Sequence, residues 1–248
     1  MKKLIYILGI VLCFACNSEE VNDCFQTSGD LVQQEITVPS FEGIIVHRDV
    51  EVVIKHAENY KVTVETGENL MADINVEVVD NQLILTDNNT CNYFRTYGLT
   101  KVFVEAPDLK TIRSSTQYDI SSDGLLQYEE LNLISESYNV ESEFTIGDFR
   151  LEINSEQLNI ISNNLAFFYM EGTVENLDIG FFSGAGRFEG ANLVAQHVNV
   201  YHRGSNDMIV NSQLSLTGQL KGTGHLIAVN EPLEVDVERF YTGQLFIE

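Results

Sequence analysis

The sequence predicts an all-β fold: a parallel β-helix, or β-solenoid, preceded by a strand-rich N-terminal part. Three observations carry this. Short segments alternate apolar and polar residues with period two, among them "VEVVI" (50–54), "KVTVET" (61–66), "INVEVVDNQLILT" (74–86) and "KVFVEA" (101–106), the signature of half-buried strands. No segment carries a helical period, and Gly, Asn, Asp and Ser punctuate the chain at short intervals. Beyond Pro107 one pattern recurs at about 20 residues, as stacked repeats require.

The first 15 residues stand apart from the fold. "MKKLIYILGIVLCFAC" has a basic start at Lys2 and Lys3 and an uncharged apolar run from Leu4 to Ala15, too short for the roughly 20 residues of a membrane-crossing helix. The small Ala15 before Cys16 makes this similar to a bacterial lipoprotein signal, with Cys16 the lipidated residue and membrane anchor. Cys13 stands where such signals usually carry an aliphatic residue. Residues 16–35 follow as an acidic tether, and "NSEEVND" reads either as a solvated spacer or as an export tag to the cell surface.

Loss of residues 1–15 removes Lys2 and Lys3 and no acid, leaving 12 basic against 37 acidic residues, a formal charge of −25. Such a chain repels nucleic acid and anionic head groups as general partners. A 44% hydrophobic content is ordinary for a folded protein, so the acidity belongs to the surface. Once the signal and Cys16 are set aside, Cys24 and Cys91 remain. In an oxidising exported compartment they most economically form one structural disulfide, worth about 2–4 kcal/mol.

Residues 36–107 form the strand-rich part, with a hairpin turning at Asp80 and Asn81. Residues 108–248 form the repetitive part. Its units start at Leu131, Leu151, Leu177, Val198, Leu214 and Leu233, with a frayed first member at Leu109. A second apolar position follows each start, at Ile120, Val140, Ile160, Phe188, Ile209, Leu226 and Leu245. Two short strands per unit suit one circuit of a β-helix, whose inward residues no single coil could bury. The longest unit contains "LAFFYMEGTVEN" and is expected to hold an extra half-turn. The alternative, a β-sandwich, would show short strands but not one pattern at one period.

Several stretches are similar to the head GIN domain family of Bacteroidetes, for which adhesion is proposed: "FEGIIVHRDVEVVI", "GENLMADINVEVVDNQLIL", "VFVEAPDLKTI", "LDIGFFSGAGRFEGANLVAQHVNVYHRGSNDMIV" and "YTGQLFIE". The likeness spans roughly residues 36–248. The Gly-Ile-Asn that names the family falls at Asp49, Val50 and Glu51, and "SESYN" and "NSEQL" replace the family's Ser-Gly-Ala-Gly turn. The resemblance implies an exported β-helical protein of bacterial surfaces or periplasm and supplies no catalytic residues; with the lipoprotein-like signal, the expected place is the outer membrane, at the surface or facing the periplasm. "DCFQTSGD" and "TCNYFRTYG" resemble the cysteine-bearing segments of flavobacterial members, which favours pairing Cys24 with Cys91.

The glycine-rich "IGFFSGAGRFEG" is not a dinucleotide loop, because its third glycine is one residue late and no helix follows to face a pyrophosphate. Gly184 and Gly186 are expected to let the chain turn at positive φ between stacked strands. "SGAGRF" also lacks the aspartate of a calcium β-roll, although the density of acids, as at Asp119, Asp123, Glu129 and Glu130, leaves weak calcium binding open. No other cofactor is implied.

His47, His56, His197, His202 and His225 make no zinc-binding pair, and each reads as a surface or turn residue. No Gly-x-Ser-x-Gly elbow is present. Tyrosines and phenylalanines at 93, 94, 97, 118, 138, 169, 201 and 241 would stack on sugar rings if exposed, or pack between coils if not. The function expected is non-catalytic recognition of a glycan or protein at the cell envelope. A structural envelope role and a carbohydrate-active β-helix enzyme are the alternatives.

Overall fold

A computed structural model describes residues 26–89, 91, 93, 98–138 and 144–248. The fold is all-β. In chain order the strands are β1 (Leu31–Ile36), β2 (Gly43–Val46), β3 (Val50–His56), β4 (Lys61–Gly67), β5 (Ile74–Val79), β6 (Gln82–Asp87), β7 (Thr100–Ala106), β8 (Thr111–Ser114) and β9 (Ile120–Gln127). They continue with β10 (Glu130–Ser135), β11 (Phe149–Ser162), β12 (Phe167–Phe181), β13 (Arg187–His202), β14 (Met208–Leu220), β15 (Leu226–Ala228), β16 (Glu234–Arg239) and β17 (Leu245–Ile247). All hydrogen-bond into one continuous sheet.

Among the described residues, pairing is antiparallel only at the N-terminal end, in β5–β6, β1–β4 and β4–β7. The β5–β6 hairpin turns at Asp80 and Asn81, whose φ of 50° and 62° are those of a type I′ turn. Every other pairing is parallel. One stack runs β6–β2–β8–β10 and on through the C-terminal halves of β11 to β14 to β16. The other runs β7–β3–β9 and through the N-terminal halves of β11 to β14 to β15 and β17. Each long strand thus serves both stacks.

Strict register produces columns of inward side chains. In one, Val64, Val102, Val52, Ile120, Phe149, Phe168, Phe188, Met208, Leu226 and Leu245 follow one another strand by strand. Phe149 and Phe168 stack at 4.9 Å with planes 5° apart. Opposite it, Leu83, Ile44, Ile112, Leu133, Ile160, Ile179 and Val200 form a second column. Apart from the half-buried Leu245 at the end of the first column, these side chains are almost wholly buried, and each such burial is worth about 1.5–3 kcal/mol.

The structure re-phases the sequence repeat. Leu131, Leu158, Leu177, Val198, Leu216 and Val235 share a column, buried as far as Leu216 and open at Val235 on the last strand of the stack, so Leu151 belongs to the opposite arm, while Leu214 and Leu233 lie out of register with the column and are exposed. A leucine two residues before the true inward position misled the pattern in both last units. The long interval lies between Leu131 and Leu158, and "LAFFYMEGTVEN" holds no extra half-turn: after Leu165 and Ala166 it is the first part of strand β12. Met208, not Ile209, points inward. The N-terminal and repetitive parts share one core, because β2 and β3 pair with β8 and β9. The expected tether also ends early: Gln26 is buried, its amide donating to the Asn69 carbonyl at 2.7 Å, and β1 occupies residues 31–36.

Where the sequence resemblance puts the Gly-Ile-Asn turn, Asp49 adopts φ 66° without a glycine. Its N–H donates to Gln117 Oε1 at 3.1 Å and its Oδ1 accepts from Gln117 Nε2 at 2.6 Å, holding the strained residue from both sides. Gly184 has φ 84°, and a Cβ there would sit 2.1 Å from the Asn164 carbonyl oxygen. Gly186 corrects the expectation of positive φ at both positions. It is held to glycine by close approach instead, a Cβ falling 2.9 Å from the Ala166 oxygen. Gly184→Ala is expected to cost about 2 kcal/mol or more in urea unfolding. Gly124→Ala should cost only about 1 kcal/mol, since Gly124 has φ 81° but nothing within 4 Å of its Cβ position.

Candidate recognition surface

The chain leaves each strand of the β10–β16 stack at one corner, and the first residue beyond each strand hydrogen-bonds back to the strand before it. Asn163 N–H donates to the Ser135 oxygen, Phe182 to Ser162, Arg203 to Phe181, Lys221 to His202 and Phe240 to Leu220, at 2.7–3.2 Å. These five residues therefore form an outward row, one per strand. Tyr201, two before Arg203, adds a ring 5.1 Å from Phe182. Lys221 Nζ lies 5.0 Å from the ring centres of both Tyr201 and Phe240, within cation–π range. Phe182, Phe240 and Tyr241 are exposed.

Beside the row lies a groove of 510 Å³ walled by Tyr138, Ile161, Phe182 and Arg203, with Glu136, Asn163 and Ser183. Tyr138 is 88% exposed. It is aimed by Glu136, whose Oε2 accepts the Tyr138 N–H at 2.5 Å while Oε1 takes both terminal nitrogens of Arg113 at 3.2 Å. This ion pair is nearly buried. Asn163 Oδ1 is a buried acceptor without a partner at the groove wall.

The inward row directly beneath runs Ser135, Ser162, Phe181, His202 and Leu220. His202 corrects the reading of all five histidines as surface or turn residues, since it is fully buried. His197 and His202 lie on opposite faces of β13, as their spacing of five implies, and only His197 is exposed. His202 Nε2–H donates to the Asn206 carbonyl at 2.8 Å, which leaves Nδ1 unprotonated, buried and without a partner. Burial holds the imidazole pKa below its usual value, against the opposing pull of the Asn206 hydrogen bond.

A second groove, of 460 Å³, lies on the other arm between Ser122, Arg150, Glu152, Tyr169, Glu171 and Glu189. Arg150 covers the Tyr169 ring at 4.1 Å and binds Asp119 at 2.8 Å and Asp148 at 3.1 Å. Asp123 faces Lys55 at 3.8 Å. Among the described residues no three His, Cys, Asp or Glu side chains converge to hold a metal ion. Of the aromatic positions singled out from sequence, Tyr93, Tyr138 and Tyr241 are exposed and Tyr118, Tyr169 and Tyr201 half-buried, while Phe94 and Tyr97 lie outside the described residues. Cys16 and Cys24 also lie outside them. Sequence reasoning passed over Phe182, Arg203, Lys221 and Phe240, which only strand register brings together.

Residues 40–232 match the family model described as "Putative auto-transporter adhesin, head GIN domain". The chain belongs to the head GIN domain family. Solved structures similar to this head GIN chain include a "putative adhesin" from Bacteroides fragilis, 19% identical at a TM-score of 0.78, covering 90% of this chain and 99% of that one. A "Putative lipid binding protein" from Parabacteroides distasonis is 15% identical at 0.63, covering 89% and 97%. A "putative adhesin" from Parabacteroides merdae is 16% identical at 0.55, covering 89% and 97%. These likenesses establish a shared fold. No curated protein matches the head GIN chain.

Removing one partner of the Arg113–Glu136 pair strands a buried charge, so Glu136→Ala should lower stability by about 3–5 kcal/mol in urea unfolding. Replacing both, as in Arg113→Met with Glu136→Leu, should recover most of that loss. His202 gives stability a pH dependence. Its folded pKa is depressed, so between pH 7 and 5.5 the unfolded chain takes up a proton, around pH 6.5, that the folded chain refuses. The contribution is complete above the unfolded pKa and is lost as pH falls through it. His202→Gln, which keeps a donor for Asn206, should flatten the fall in urea midpoint over that range.

Proposed function

We propose that this head GIN protein is a non-catalytic, exported recognition module that binds glycans through the corner row and its groove. The observation that carries this reading is the exposure of Tyr138, Phe182, Phe240 and Tyr241 along one edge of the stack. Exposed rings on a rigid scaffold offer flat apolar faces to pyranose rings at small entropic cost. The adhesin description of the family supports the same reading. The stacked parallel strands are read as coils of a parallel β-solenoid, an architecture that lines up one side chain per coil for an extended ligand.

The module is placed at the outer membrane, held by a lipid on Cys16 and facing the surface or the periplasm. The basic start, the short apolar run and Ala15 before Cys16 support the anchor. Pairing of Cys24 with Cys91 would tie the start of the mature chain to the loop before β7. It is supported by Cys91 being a disulfide cysteine rather than a free thiol.

A glycan array probed with the full mature chain tests the reading. Saccharide binding is expected, with Phe182→Ala and Tyr138→Ala each weakening it by about tenfold and no reducing ends released. Binding to none of the glycans, retention by lipid vesicles instead, or affinity unchanged in both variants would overturn it.

A further inference from the structure

The charges of the corner specify its ligand further, on the footing that the corner is a saccharide site. Among the described residues Lys55, Lys61, Lys101, Lys110, Arg113, Arg150 and Arg187 each pair with a carboxylate. In a chain with 37 acids and 14 bases that is the expected fate of a cation. Among the described residues Arg203, Lys221 and Arg239 make no ion pair; Arg203 and Lys221 directly follow the successive strands β13 and β14 in the outward row, while Arg239 ends β16 in register with the inward Leu220. Arg239 is engaged by the Gly243 carbonyl at 3.1 Å, and Lys221 by the faces of Tyr201 and Phe240. Arg203 stands exposed at the groove wall. Two cations without carboxylates, Arg203 and Lys221, are thus neighbours in one outward row, between exposed rings, on an otherwise acidic protein.

We infer that this corner binds an acidic polysaccharide, its carboxylate or sulfate groups on Arg203 and Lys221 and its sugar faces on Phe182 and Phe240. The row from Asn163 to Phe240 crosses five strands about 4.8 Å apart, a track of roughly 19 Å that suits a few linked pyranose rings. Asn163 Oδ1, buried and unpartnered, is an acceptor for a sugar hydroxyl at the groove end. A guanidinium forks onto a carboxylate or sulfate through two parallel N–H donors. The neighbouring outward row runs Tyr201, Gln219, Glu238, and the next one Asn199, Thr217, Asp236. Those acids repel a broad anionic surface such as a bilayer or a duplex but leave a track one residue wide for a single chain. At physiological salt the screening length is about 8 Å, so the local cations and not the net charge decide the contact.

Affinity of the full mature chain is to be measured for two matched pairs, polygalacturonate against its methyl ester and dextran sulfate against dextran, with phosphatidylglycerol vesicles and single-stranded DNA as competitors. The acidic member of at least one pair is expected to bind at least about tenfold more tightly. Arg203→Ala with Lys221→Ala should abolish that preference while the urea midpoint and the binding seen with Lys55→Ala stay unchanged. Binding of both members of each pair equally, still lost in Phe182→Ala, would overturn the acidic preference and leave glycan recognition standing. Binding of no saccharide would overturn both. Tighter binding of vesicles or DNA, or an acidic preference that survives the double variant, would overturn the inference.

Discussion

The whole molecule depends on in-register parallel stacking. Hydrogen bonds fix neighbouring strands about 4.8 Å apart, and register then places each inward side chain directly on the one a strand earlier. The column from Val64 through Phe149 and Phe168 to Leu245 exists because every strand keeps the phase of the last. A shift of one residue would turn a whole strand's apolar set outward, so burial defends the register. The same closeness dictates where glycine is required. At Gly172 and Gly218 a Cβ would fall 2.0 Å from the carbonyl oxygen of the strand beneath, Ile153 and Val200 respectively.

What the core does with methyl groups and rings, the outer face does with amides. Asn132, Asn159, Asp178, Asn199 and Thr217 occupy one outward row. Asn159 donates to Asn132 Oδ1 at 3.0 Å, Asn199 to Asp178 Oδ1 at 2.8 Å, and Gln157 bridges Asn159 and Asp178. A row made of carboxylates would set like charge above and below each one; with amides on either side, the Asp178 carboxylate serves as an acceptor. At the N-terminal end the sense of pairing changes, and β1 and β5 present antiparallel edges bearing Glu35 and Glu77 that discourage further pairing.

The sequence discloses the fold more fully than the site, for a physical reason. Period-two alternation is local, so β3 to β7 are readable one at a time, and the I′ turn at Asp80 and Asn81 follows from its two residues. Phase between distant strands is not local. Leu214 and Leu233 satisfy the same pattern as Leu216 and Val235, and only hydrogen bonding across the stack decides which pair faces inward. The corner is less legible still, because Asn163, Phe182, Arg203, Lys221 and Phe240 share no motif and become neighbours through register alone. His202 differs from His197 only in facing the other side of the strand.

The corner row sits one residue past the strand ends, where the backbone is still held but the side chain takes no part in any core column. A change there alters what the surface presents without disturbing the packing that determines whether the chain folds. Substitutions along this one edge can therefore accumulate in descendants of the scaffold without loss of the fold, so that selection on surface chemistry and selection on folding act on separate residues.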